Sequence, residues 1–318
     1  MNRGLLTLLV AGLFVSGSAL RAQEQQDPDV DTTDDMQEVS QNTPSMANSA
    51  EPPKVLRIYR EEMKPGKGAV HEKVEAGYVR ALSKTSWPIH YIGMSALSGP
   101  SEAWFMEAHD SFASIEKEEM DVEKMPELKA ELAALDEQDG DLRTGGIGVI
   151  AVYQPDLSFH AAHIGDSLPK DRYMSVLTLH IKPGQDATFQ QAARIVLDAD
   201  EKAGLDEPVL TYMVTSGMSG GTYLLFYPLR SLDYYDSSPM RSKKVHEAMG
   251  DKMAEFETLV GQSISGSESS IFSLSPRMSY VSSEFAAADP DFWNPKGEAP
   301  VTAENPATTA EMPAEEEE

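Results

Sequence analysis

The feature that most limits what this chain can fold into is that its middle repeats itself. Lys64-Pro65-Gly66 closes an extended apolar stretch, Val55 to Met63, and Lys182-Pro183-Gly184 does the same after Tyr173 to Ile181, at an offset of 118 residues. Ser98-Gly99 matches Ser216-Gly217, again at 118. Pro155-Asp156-Leu157-Ser158-Phe159 recurs as Pro276-Arg277-Met278-Ser279-Tyr280, at an offset of 121. Three landmarks in one order and at near-constant spacing point to one unit written twice.

Both units read alike. In the first, Val55 to Met63 is a strand ended by the Pro65-Gly66 turn. Val70, Val74, Tyr78, Val79 and Leu82 recur at helical spacing. Tyr91 to Leu97 and Ala103 to Ala108 form a hairpin, Phe112 to Asp136 is helical with a break at Pro126, and Ile147 to Tyr153 is a closing strand. The second unit follows with a strand at Tyr173 to Ile181, a helix around Phe189 to Leu197 and a hairpin over Val209 to Tyr227. A helix from Met240 to Val260 and a strand at Ser270 to Leu274 complete it. The order is βαββαβ, a split arrangement whose four-stranded sheet has helices on one face and nothing on the other. A bare face must be buried. The expected fold class is therefore α+β: two tandem ferredoxin-like modules, their antiparallel sheets packed face to face as a pseudo-dimeric α/β barrel.

The rest of the chain sets the boundaries. Met1-Asn2-Arg3 followed by a run of about 11 apolar and small residues has the layout of a signal peptide, and about 20 apolar residues would be needed to span a bilayer. Export to a periplasmic or extracellular location is expected, with no membrane span after cleavage. There is no cysteine, so the core must suffice without disulfides or thiolate metal sites. Residues 23 to 51 carry eight acidic residues and no Lys or Arg, and residues 285 to 318 carry nine with one Lys. Such segments cannot offset their ordering entropy. The expected division is residues 1–22 signal peptide, 23–53 disordered acidic linker, 54–160 first module, 161–172 linker, 173–284 second module and 285–318 disordered acidic tail. A net charge of −26 repels phosphate backbones, so nucleic acid is not an expected partner.

Leu56-Arg57-Ile58-Tyr59 followed by Lys64-Pro65-Gly66, with the closing Pro155 to Phe159 and Pro276 to Tyr280, resembles NIPSNAP-like proteins. These belong to the dimeric α/β-barrel group that includes antibiotic-biosynthesis monooxygenase-type domains. The resemblance covers about 230 residues and implies a barrel with a central cavity. It also implies a choice among cofactor-free oxygenases, haem-handling proteins and domains without established activity, and fold alone does not decide between them.

Strand alternation puts Arg57 and Tyr59 on one face of the first strand and Leu56 and Ile58 on the other. Placing the apolar pair under the helices sends Arg57 and Tyr59 into the cavity, where they would orient an anionic or aromatic ligand; the alternative is a buried structural pair. Trp104 and His109 complete the cavity candidates, Trp104 with a plain core role as its alternative. Their counterparts in the second unit are Ser175 and Leu177 for Arg57 and Tyr59, so any site is expected to be asymmetric. His246 in the last long helix is the one candidate for haem ligation. His160 and His163 form a His-x-x-His pair in the linker, read as solvated loop rather than metal site. No metal and no obligatory cofactor are expected. Gly217 to Gly221 is glycine-rich within a hairpin, where glycine serves the turn. Three functions compete: a module that binds a small apolar or aromatic ligand or a partner, a cofactor-free monooxygenase-like enzyme, and a haem-handling barrel. The protein is expected to be a monomeric pseudo-dimer or a homo-oligomer.

Overall fold

A computed structural model describes residues 51–294. The signal peptide, most of the acidic linker and the last part of the acidic tail lie outside the described residues. The first half contains β1 (Val55–Met63), α1 (Gly68–Thr85), β2 (Tyr91–Ala96), β3 (Glu102–His109), α2 (Phe112–Glu123), α3 (Pro126–Gly140) and β4 (Arg143–Tyr153). After a single-turn α4 (Ile164–Ser167) the second half repeats the order. It comprises β5 (Tyr173–Ile181), α5 (Asp186–Lys202), β6 (Leu210–Ser216), β7 (Thr222–Leu229), the short α6 (Asp233–Asp236), α7 (Ser238–Met249), α8 (Met253–Ser263) and β8 (Ile264–Leu274). Two short helices, α9 (Ser283–Ala287) and α10 (Pro290–Trp293), end the described chain.

Local chemistry explains the breaks. Gly66 and Gly184 both sit at positive φ, 76° and 75°, which a Lys-Pro-Gly turn requires of its last residue. Ser111 caps α2 in a capping box with Ser114, and Pro126 opens α3 at a position where its missing N–H costs nothing. The expected 240–260 helix is two, because Gly250 at φ 52° ends α7. β4 and β8 begin earlier than expected, at Arg143 and Ile264. Their first halves, Thr144-Gly145-Gly146 and Ser265-Gly266-Ser267, are polar or glycine-rich and mostly exposed, so no apolar alternation marks them.

The eight strands close into one barrel in the order β1-β3-β2-β8-β5-β7-β6-β4. The two sheets face each other across one shared interior, as expected. They join edge to edge through two short seams, Met94 to Ala96 against Phe272 to Leu274 and Ile150 to Tyr153 against Tyr212 to Ser216. Closure leaves no free edge at the seams and turns both bare faces inward.

The interior is filled by side chains, among them Leu56, Ile58, Met94, Trp104, Tyr212 and Phe272. This inverts the expected faces of β1. Leu56 and Ile58, the drier pair, point into the barrel, and Arg57 and Tyr59 point out toward the helices. The interior of a closed barrel excludes water more completely than the helix layer, so the apolar pair is favoured there.

Every neighbouring pair in the ring is antiparallel, so β4 and β8 run the same way and deliver both closing segments to one end of the barrel. There the expected linker and tail act as a plug. Ile164 and Leu168 from one segment and Phe285 and Trp293 from the other join the barrel core. The Trp293 indole donates to the Pro169 carbonyl at 2.6 Å, and Arg172 pairs with Asp289. The chain is thus ordered through Asn294, not disordered from residue 285. The net burial of apolar side chains outweighs the acidic composition around them.

Candidate ligand pocket and the charged clusters

On the outer face of the second half, a pocket of about 70 Å³ opens between the sheet and its helices. Leu179, Leu225 and Tyr227 form its floor. Ala192, Ala193 and Val196 of α5 form its roof, and it is their small size that leaves the space. Phe256 and Val260 of α8 close one side. Leu157 and Phe159, which come from the closing segment of the first half, form a wall. Phe159 is held there by a bridge to Val209, so the pocket takes residues from both halves.

Two carboxyls, Asp200 and Glu207, stand in this mostly apolar lining. Oδ1 of Asp200 is buried and accepts no hydrogen bond. Burial, reinforced by the nearby Glu207 charge, pushes Asp200 up to about 7. Near neutrality such a group is half protonated and can donate or accept. Glu207 at the rim is neutralised by Arg241 at 3.0 Å, and that guanidinium stacks 3.4 Å from the centroid of Tyr234. Burial also raises the Tyr234 phenol to about 12, so it stays protonated. Thr211 is already engaged, donating to the Leu157 carbonyl at 2.6 Å. Among the described residues, Asp200 Oδ1 is therefore the fully buried polar atom of the lining without a hydrogen-bond partner.

The outer face of the first half carries a charged cluster instead. Arg57 reaches across to α2 and pairs with Glu107, with Glu118 and, at 2.6 Å, with Glu119. Trp87 donates to Glu118 at 3.2 Å, and burial with the Glu107 charge pushes Glu118 up to about 7. His109 lies beside them. Its Nδ1 is 3.2 Å from Ser114 Oγ, and its Nε2 has no partner, 3.6 Å from Glu118. Tyr59 is 38% exposed at the edge of this cluster. Arg57, Tyr59 and His109 are thus not cavity residues. The first two were placed by the wrong choice of inner face, and His109 shares the outer face of β3. Arg57 is a clamp between β1, β3 and α2, built from carboxylates of its own half.

Trp104 does point inward. It packs on Phe272 at 5.1 Å, lies under Arg60 at 4.4 Å and donates to Glu102 at 2.6 Å, so it is a core side chain with its polar edge satisfied. His246 is exposed on α7, whose buried residues are Ser242, Val245 and Met249. His160 pairs with Glu201 at 3.0 Å. Gly217-Met218-Ser219-Gly220-Gly221 has the Gly-x-Ser-x-Gly spacing of a nucleophile elbow, but it turns β6 into β7 rather than strand into helix, so Ser219 is a hairpin residue.

Two features escaped the sequence reading. Asp200 carries no motif. The other is a group of Glu61, His71, Glu75 and Asp139, whose only linear signal is the four-residue spacing of His71 and Glu75 on one helix face.

No family model matches the sequence, and no curated protein matches it. Solved structures do. A candidate monooxygenase of Fusobacterium nucleatum is 12% identical over 70% of this chain and 93% of its own, with a TM-score of 0.45. An anthrone oxidase-like protein is 12% identical over 71% and 93%, with a TM-score of 0.42. A mutant chlorite dismutase from Candidatus Nitrospira defluvii, in complex with cyanide, is 12% identical over 71% and 92%, with a TM-score of 0.43. At such low identity the chemistry has to come from this chain's own residues. Those residues do not fit a histidine-ligated haem in the pocket: His246 is exposed, the pocket lining contains no histidine among the described residues, and about 70 Å³ is too small for a macrocycle.

Proposed function

We propose that this chain is an exported, internally duplicated α/β barrel that holds a small apolar or aromatic molecule in the pocket of its second half. Asp200 bonds the polar group of that molecule. The observation that carries this reading is the unpartnered Asp200 oxygen inside a mostly apolar lining. A buried polar atom without a partner is costly, and a ligand hydroxyl or amine removes that cost. The matched turns, the shared element order and the NIPSNAP-like segments support duplication. The basic start and apolar run at the N-terminus support export. Among the described residues no helix is long and apolar enough to cross a membrane. The acidic surface argues against nucleic acid as a partner.

The pocket is smaller than the roughly 150 Å³ cavity that takes up benzene in an engineered core, so a ring enters only with a rotamer change in the lining. Phenol is a suitable probe, carrying one ring and one hydroxyl. Calorimetry with phenol at pH 7 should show one site in the full chain, about tenfold weaker in Asp200→Asn and lost in Ala193→Phe, which fills the space. Equal heats in all three proteins would rule the reading out.

A second reading, a cofactor-free enzyme, is favoured by the same carboxyl. A group pushed up to about 7 is suited to general acid–base chemistry at neutral pH. Oxygen uptake dependent on a bound phenol and abolished in Asp200→Asn would favour it over simple binding.

A further inference from the structure

In the first half, far in sequence from Asp200, four side chains from three elements meet beneath the helix layer. His71 and Glu75 come from α1, Asp139 from the end of α3 and Glu61 from β1. His71, Glu75 and Asp139 are 2%, 5% and 1% exposed. His71 Nε2 lies 2.9 Å from Glu61 Oε2, 3.3 Å from Asp139 Oδ1 and 3.5 Å from Glu75 Oε1.

An imidazole nitrogen carries at most one proton, so His71 can satisfy one of these three oxygens by hydrogen bonding. The short contact to Glu61 uses it. Asp139 Oδ1, fully buried and aimed at the same point, has no hydrogen-bond partner. The remaining oxygens of two carboxylates are held from outside by one residue: Arg143 donates to Glu61 Oε1 at 2.6 Å and pairs through Nε with Asp139 Oδ2 at 2.7 Å. Arg143 thereby turns one oxygen of each toward His71, as an outer partner does for a metal ligand.

We propose that His71 Nε2 and one oxygen each of Glu61, Glu75 and Asp139 bind a first-row divalent cation. The distances fit. Four ligand atoms around a tetrahedral ion with bonds of about 2.0–2.1 Å lie about 3.3 Å from one another. The three separations from Nε2 bracket that value, and all four atoms lie within 4.8 Å of one another. One imidazole and three carboxylates suit zinc, manganese or iron(II) rather than a hard all-oxygen cation site.

The second histidine-acid group, around His109, differs in one respect. There the Arg57 guanidinium itself sits between Glu107 and Glu118 and takes the place of a cation.

The test is calorimetry of the full chain, stripped with a chelator, against zinc and manganese chlorides. The expected result is one equivalent bound by at least one of the two metals. Binding should be at least about 100-fold weaker in both Asp139→Asn and Glu75→Gln. Each replaces a carboxylate with a neutral group of the same shape, and unchanged circular dichroism shows that each variant is folded. The absence of a one-equivalent site for both metals, or affinity equal in the parent and both variants, overturns the proposal.

Discussion

The hydroxyl of Ser279 accepts a hydrogen bond from the backbone N–H of Gly93 at 2.9 Å, and Ser158 does the same for Thr211 at 3.0 Å. Gly93 and Thr211 are 118 residues apart, so each half receives the other's closing turn at the same place on its second strand. Leu157 accordingly packs in the helix layer of the second half and Met278 in that of the first. The repeated Pro-x-x-Ser-aromatic segment is a pair of reciprocal latches, and one of them carries Phe159 into the ligand pocket.

The latch at Gly93 tolerates no side chain. A Cβ there would meet the Met278 carbonyl oxygen at 2.4 Å. Gly93→Ala should cost about 1–3 kcal/mol, as overpacking does, measured by urea unfolding. Ser279→Ala should cost about 1–2 kcal/mol by leaving the Gly93 N–H without its acceptor. A Gly93→Ala protein as stable as the parent would mean that the closing turn is not seated as described.

Trp293 is 5% exposed in the barrel plug. Trp293→Ala should cost about 3–5 kcal/mol, and a stop after Val281 should cost more, because it also removes Phe285. If the segment after residue 285 were a solvated acidic tail, neither change would move the unfolding midpoint.

Arg57→Met leaves Glu107 and Glu118 buried without their cation. A loss of about 3–5 kcal/mol is expected at pH 8. It should shrink as the pH is lowered, since Glu118, pushed up to about 7, then protonates. Phenol binding should be unchanged, because the clamp lies in the other half.

Asp200 has a folded pKa raised to about 7 from an ordinary value near 3.8. The folded state therefore binds the proton more tightly than the unfolded chain does. That contribution is fully present below about pH 4 and is lost as pH rises through 7, and three units correspond to an upper bound of about 4 kcal/mol. Unfolding free energies of the parent and Asp200→Asn should therefore diverge between pH 4 and 7, the amide showing the flatter profile. Parallel profiles would show that the carboxyl is not buried.

Strand positions and the repeated element order were legible because turns and alternation are local. The direction of β1 was not. Alternation separates Leu56 and Ile58 from Arg57 and Tyr59, but it cannot say which face is inside when both are covered, one by helices and the other by barrel closure. Phe285 and Trp293 were hidden by the acidic residues around them, since composition averages over a window and plugs are made by single side chains. Asp200 and the His71 cluster depend on tertiary proximity. The pocket needs Phe159 from the other half, and the cluster needs a residue from the end of α3 beside two on α1, so neither has a contiguous signature. Trp104 was placed by its alternation with Phe105, and its inward direction follows from barrel closure.

The most direct measurement is a phenol titration of methyl-labelled protein followed by NMR. Shifts should concentrate at Ala192, Ala193, Val196, Leu179 and Val260, saturate together and weaken in Asp200→Asn, while Val149 and Leu224 in the barrel interior stay unmoved. Absence of saturable shifts at the pocket methyls, or shifts centred on the interior methyls, would contradict a ligand site at Asp200.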